Sequence, residues 1–223
     1  MKNSFLLLLI TSVLISCLGE AQEATTGSEY TPSDDLQFYV SRMSELVTKN
    51  WLEENLLEVK SDTSKYKDFL SVFRFYNNFD QDALSFLAGV WNSSQLSDHI
   101  LDSVMLEDAQ LVVATVLAKN DSSNHDIYRE FIIDKTNSEN ISIRSNALLY
   151  LGDIATNKDL SVLLKGLGDD RATPAIQAGR AMIALGTSDS ISALESELKK
   201  LKVSNNQRDK TVFGVLSESI SID

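Results

Sequence analysis

Three observations predict an all-α protein built as an α-solenoid of stacked helical hairpins. Two prolines and nine glycines in 223 residues leave little material for the turns that a β protein needs. Apolar residues recur at helical spacing in several windows along the chain. The back half also repeats itself at a period near 30–34 residues. That is the interval of helix-pair arrays, in which no single unit can bury its own apolar face.

The first element is a short apolar run. Lys2 supplies a positive start, and Phe5 to Ile15 is apolar apart from Thr11 and Ser12. A spanning helix needs about 20 apolar residues, so this run reads as the apolar region of a secretory signal. The junction Leu14-Ile15-Ser16-Cys17 resembles the bacterial lipobox. The resemblance covers the first 17 residues and implies that residues 1–16 are removed, that the Cys17 thiol is diacylated, and that the new amine can be acylated too. Each buried methylene contributes about 0.8 kcal/mol, so two or three chains anchor firmly where one does not. The alternative is a plain secreted protein whose Cys17 leaves with its signal. Because Cys17 is the only cysteine, neither reading leaves a thiol for disulfide, metal or nucleophilic chemistry downstream.

Residues 17–33 follow as the acylated cysteine and a polar, glutamate-bearing tether, whose coil reach is roughly 20–25 Å. Leu18 stands where aspartate would favour inner-membrane retention under the family's sorting rule, so the resemblance implies the outer membrane. The chain counts 32 acidic against 20 basic side chains, net −12. Loss of Lys2 with the signal would make it one charge more negative. Such a balance repels nucleic acid and anionic headgroups, and nucleic acid is excluded as an expected partner.

Residues 34–80 read as a divergent N-terminal helical cap. Leu36, Tyr39, Val40, Met43 and Leu46 hold helical spacing after Ser33-Asp34-Asp35, and Tyr66, Phe69, Leu70, Phe73 and Tyr76 repeat it. Residues 81–223 hold the repeats. Residues 143–170 and 172–200 align: Leu151-Gly152 matches Leu185-Gly186, Ala147 matches Ala181, and the capping candidate Asp159 matches Asp189-Ser190. Leu160, Leu163, Leu164 and Leu167 then form one second helix, and Ile191, Leu194 and Leu198 the other. Leu117, Leu151 and Leu185 stand 34 residues apart, with Leu216 31 later and Leu87 30 earlier.

At these residues the chain resembles HEAT-like repeats of the phycobilin-lyase type. Asp169-Asp170-Arg171-Ala172-Thr173-Pro174 fits the family's break between repeats, with Thr173 as cap and Pro174 at the first helical position. Arg144 matches the family arginine, whereas Ala178 stands at its 34-residue counterpart. The resemblance covers residues 140–200 well and 82–139 and 205–220 weakly. It implies a right-handed stack. Tetratricopeptide repeats share the period and are the structural alternative.

No residues form a recognisable catalytic or metal motif. G-x-S-x-G and H-E-x-x-H do not occur, and His99 and His125 are each isolated from any histidine or cysteine at ligand spacing. Gly166-Leu167-Gly168 is too short for a phosphate loop. Asn78 to Asp82 imitates the start of a calcium loop, but Ala83 and Gly89 occupy the glycine and closing-glutamate positions, so Asp80 reads as a helix cap. Two surface features remain. Residues 66–91 are rich in aromatics, which either anchor a partner or fill the core beneath the N-terminal cap. Lys199, Lys200, Lys202, Arg208 and Lys210 form a basic patch. The expected function is a membrane-anchored adaptor that presents a repeat surface to another envelope protein, with no cofactor and no small molecule. The alternatives are a structural envelope lipoprotein without a binding hot spot and a lyase-like or ligand-binding repeat protein.

Overall fold

A computed structural model describes residues 45–62, 65–66, 76–92, 97–98, 100 and 102–220. The fold lies within the unit Leu46–Asp223. Among the described residues it comprises nine α-helices: α1 (Lys49–Ser61), α2 (Gln81–Asn92), α3 (Ser103–Asn120), α4 (His125–Lys135), α5 (Ile141–Gly152), α6 (Leu160–Leu167), α7 (Ala172–Leu185), α8 (Ser188–Lys202) and α9 (Gln207–Ser217). The protein is all-α.

Local chemistry sets most helix starts, because the first four N–H groups of a helix have no partner within it. Thr48 Oγ1 accepts from the Trp51 amide at 3.3 Å, and Asp80 Oδ1 accepts from Ala83 at 2.6 Å, as a cap should. Asp102 Oδ1 takes the amides of Val104 and Met105 at 3.0 and 2.9 Å. Asn140 and Asn206 open α5 and α9 in the same way.

Several starts differ from the sequence reading. Asp159 does stand at the N-cap position of α6, but its side chain makes no cap bond to that helix. Thr156 caps a 3₁₀ turn, Asn157–Asp159, and Asp159 bonds back to the Thr156 amide in a capping box. At α8 the cap is Thr187, whose oxygen accepts from Ser190. The Ser190 hydroxyl turns inward to donate to the Met182 carbonyl at 3.0 Å, so neither Asp189 nor Ser190 is the cap. Helix α7 begins at Ala172, which makes Thr173 and Pro174 its second and third residues rather than cap and first position. Asp169 fixes this entry by accepting from the Arg171 amide at 2.9 Å. Pro174 is tolerated there because its missing N–H would have had no helical partner.

At the N-terminal side, Leu46 is 54% exposed and outside any helix. Val47 pairs with Phe79 in an isolated parallel bridge, donating to Asn78 O at 2.8 Å while Asp80 donates to Val47 O at 3.1 Å. The rest of the Leu36–Leu46 window, and Phe69, Leu70 and Phe73, lie outside the described residues; Tyr66 and Tyr76 are buried.

Helices α2, α3, α5, α7 and α9 pack one on the next as a row. Helix α4 lies against α3 and α5, while α6 and α8 lie against α7 and touch each other. The leucines of the repeat register form the spine of this arrangement: Leu87, Leu117, Leu151 and Leu216 are at most 3% exposed. Leu185 is only half-buried, because the chain leaves α7 at once through Gly186, whose φ of 62° is left-handed and suits glycine. Helix α3 is buried on all sides from Leu111 to Ala118, the mark of a helix with neighbours all round.

Small residues permit the closest approach in the row. A Cβ added at Gly152, the last residue of α5, would lie 2.8 Å from Ala181 Cβ and 2.9 Å from Ala181 Cα in α7. The latter is backbone and cannot rotate away. Gly152→Ala is therefore expected to destabilise the protein by about 1–3 kcal/mol through overpacking, outweighing the up to about 1 kcal/mol that alanine gains over glycine in a helix. Urea unfolding followed by circular dichroism would check this.

Candidate functional site

Cys17 lies outside the described residues, as do His99, Phe69, Phe73 and Phe75. The described aromatics of segment 66–91 serve the interior. Tyr66 and Tyr76 are 4% and 3% exposed, and Trp91 stacks edge-on against Tyr128 and Phe131 at 5.0 and 5.6 Å. Phe79 and Phe86 pack on the same core. His125 is the first residue of α4 and sets its Nδ1 2.8 Å from the Ala118 carbonyl. The three asparagines that begin glycosylation-like triplets do helix-end work: Asn92 and Asn120 donate to Ala88 O and Val116 O, each at 2.8 Å, and Asn140 caps α5.

The basic patch is smaller than the sequence suggests. Arg208 is excluded from it, with a side chain only 15% exposed. Its guanidinium bonds to the Leu167 carbonyl at the end of α6 and to Asp209 at 2.8 Å. Lys199, Lys200, Lys202 and Lys210 are exposed.

Arg208 belongs to a set of ties between elements far apart in the chain. Arg129 of α4 makes a two-pronged pair with Asp159 ahead of α6, and the Asp159 side chain is fully buried. Arg144 of α5 grips Asp169 ahead of α7 at 2.6 and 3.2 Å and also donates to Ser138 O at 2.6 Å. Two-pronged guanidinium–carboxylate bonds fix orientation as well as charge. Lys119 of α3 meets Asp153, just past α5, at 3.2 Å across 34 residues. Within the α3–α4 pair, Lys135 meets Glu107 at 3.1 Å. Burial alone would raise the Asp169 carboxyl. The Arg144 hydrogen bonds and the Arg171 amide more than offset this and hold it below its ordinary value of 3.8.

Sequence reasoning missed a polar seam between α3 and α5. Asp108 accepts from Asn146 at 2.8 Å and from the Tyr150 hydroxyl at 3.4 Å. The nearby Tyr66 hydroxyl donates to the Met105 carbonyl, and burial, then the Asp108 charge, push its ionisation far above the ordinary tyrosine range. Farther along, Tyr76, Val112, Thr115, Val116, Lys119, Asn120 and Tyr150 line a crevice of about 10 Å³, room for one water molecule against the several hundred Å³ of a small-molecule site. The Thr115 hydroxyl is turned back to Leu111 O at 2.8 Å. This seam ties helices together. A signal was present in hindsight: Asp108, Asn146 and Tyr150 are polar residues on the apolar-rich helices of the row.

Among the described residues no group of three or more His, Cys, Asp or Glu side chains could hold a metal ion, and no helix is long and apolar enough to cross a membrane. No protein-family model matches the chain, and neither does any curated protein or solved structure.

The Arg144–Asp169 tie gives a pH-dependent test. A carboxyl held below its unfolded value contributes stability that is complete above about pH 4 and is lost as pH falls through the lowered folded value. Asp169→Asn should cost about 1–3 kcal/mol at pH 7. The gap between wild type and variant should close in acid, as followed by urea midpoints across pH.

Proposed function

We propose that this protein is a lipid-anchored adaptor of the bacterial cell envelope, held through Cys17 and presenting a right-handed α-solenoid of HEAT-like hairpins to another envelope protein. The observation that carries the reading is a row of packed helices joined by polar links between residues 25 to 34 positions apart. Leu117 and Leu151 are core residues 34 positions apart, and Lys119 bonds Asp153 across the same interval. Arg129 and Arg144 each bond an acid just ahead of a later helix. Contacts of this kind make an array in which each unit is held mainly by its neighbours. The helix faces turned away from the row are then left for partners. A small-ligand role draws no support from the crevice beside Tyr150, which is water-sized.

The anchor would confine the array to the membrane surface and raise the effective concentration of a partner there. Palmitate labelling of cells expressing wild type or Cys17→Ala, followed by membrane fractionation and capture of bound proteins, tests both parts. The expected result is label, membrane residence and a stoichiometric partner in wild type only. An unlabelled wild type, soluble like the variant, would refute the anchor. A labelled, membrane-bound wild type with no stoichiometric partner would instead favour a structural lipoprotein.

A further inference from the structure

The turn joining α8 to α9 carries charge that the fold does not use. Lys199, Lys200 and Lys202 fill the last turn of α8, where cations favour the negative helix end. That explanation stops at the helix. Lys210 sits in the first turn of α9, where a positive charge opposes the helix dipole. The neighbouring Arg208 is accounted for by Leu167 O and Asp209, and Lys200 by Glu197. Among the described residues no ion pair engages Lys199, Lys202 or Lys210, and all three are exposed. Ser204 holds the turn against α9 by donating to Asp209 at 2.6 Å, so the ends of the two helices stay together. Val203 lies at the tip of this turn, 80% exposed, more than any other large apolar side chain described. By helical geometry Lys199 and Val203 share the side of α8 away from the buried Leu194 and Leu198, while Lys202 flanks that side one turn after Leu198.

From this arrangement we infer that the α8–α9 turn is a membrane-contacting face: Lys199, Lys202 and Lys210 bind the headgroups of an anionic bilayer and Val203 enters the interfacial layer. The residue types choose a lipid surface over an acidic protein. The exposed cations are lysines, hydrated point charges suited to diffuse attraction, while the arginine with its directional fork is spent inside the fold. An exposed apolar side chain in a turn flanked by lysines matches the layering of a bilayer interface. The chain's net charge of −12 does not forbid this, because charges beyond about 8 Å are largely screened at physiological ionic strength. Of the acids near the turn, Asp209 is engaged by Ser204 and Arg208 and Glu197 by Lys200. Glu195, one turn back on the same side of α8 as Lys199, is half-buried. The face would orient the array on its membrane, yet it does not rest on acylation of Cys17.

The test floats the full chain with vesicles of phosphatidylcholine alone or mixed with phosphatidylglycerol. An N-terminal anchor acts in both vesicle types, so the difference between them reports the face. Wild type should partition more strongly to the anionic vesicles, and added salt should remove the surplus. The triple variant Lys199→Gln, Lys202→Gln, Lys210→Gln should lose about 100-fold of that surplus, on the contribution expected per lysine near an anionic surface. A second triple variant, Lys49→Gln, Lys60→Gln, Lys158→Gln, controls for net charge and should keep it; thermal unfolding of both variants checks that they fold. Equal partition of wild type to the two vesicle types would overturn the inference. So would a surplus lost equally in the control, or one that survives in the Lys199 variant. Loss of an acidic protein partner in that variant, with vesicle binding unchanged, would assign the face to the protein instead.

Discussion

The closeness of α5 and α7 is the constraint on which the rest of the structure depends. Their axes approach until Gly152 of one has only the Ala181 backbone and methyl group in front of it. Glycine and alanine permit that distance and larger residues do not. Once set, it brings Leu148 and Leu151 of α5 and Met182 of α7 into the interior with no measurable exposure. Their burial contributes roughly 1.5–3 kcal/mol for each large side chain. A similar approach recurs farther on, where Gly179 of α7 faces Leu216 of α9 and any side chain would run into it. The row is thus built from small residues at the contact and leucines beside it.

Hydrophobic packing of this kind fixes distance better than angle or register, since apolar contacts have no direction. The arginine–aspartate ties supply direction. Arg129 and Arg144 each reach a carboxylate standing just ahead of a later helix. Both carboxylates also shape their own loops: Asp159 closes the capping box with Thr156 and Asp169 receives the Arg171 amide. Each acid therefore shapes the loop ahead of a helix and ties that loop to an earlier helix. Burying such a pair adds little net stability, but losing one partner would release both the loop and the orientation.

The sequence exposed this architecture unevenly. The 34-residue interval of Leu117, Leu151 and Leu185 was visible because packing repeats where geometry repeats, and the small residues at Ala147, Gly152 and Ala181 were visible with it. Helix α1 was missed although Leu52, Leu56 and Val59 stand at i, i+4 and i+7 and are all buried, because the apolar windows on either side of it drew the reading. The starts of α7 and α8 differ from the sequence reading by two or three residues. At Thr156, Asp159, Thr187, Asp189 and Ser190, short-range sequence offers candidates, and only the three-dimensional partner selects among them. Arg208 was misplaced for the same reason: a charged residue in a basic run looks solvated until the carbonyl that it serves, 41 residues away at Leu167, comes into view. The Asp108 seam had no local motif at all, since its partners sit 38 and 42 residues downstream.

Residue-resolved hydrogen exchange of the native protein tests most directly whether neighbouring helices of the row hold one another up. Cooperative units open together, and the slowest report the best-buried packing. Amides of α3, α5 and α7 should be the most protected and should exchange through a common opening, with α9 and α2 at the ends of the row exchanging faster. If α5 and α7 opened independently of each other, at rates no slower than α9, the contact at Gly152 and Ala181 would not be the foundation described here.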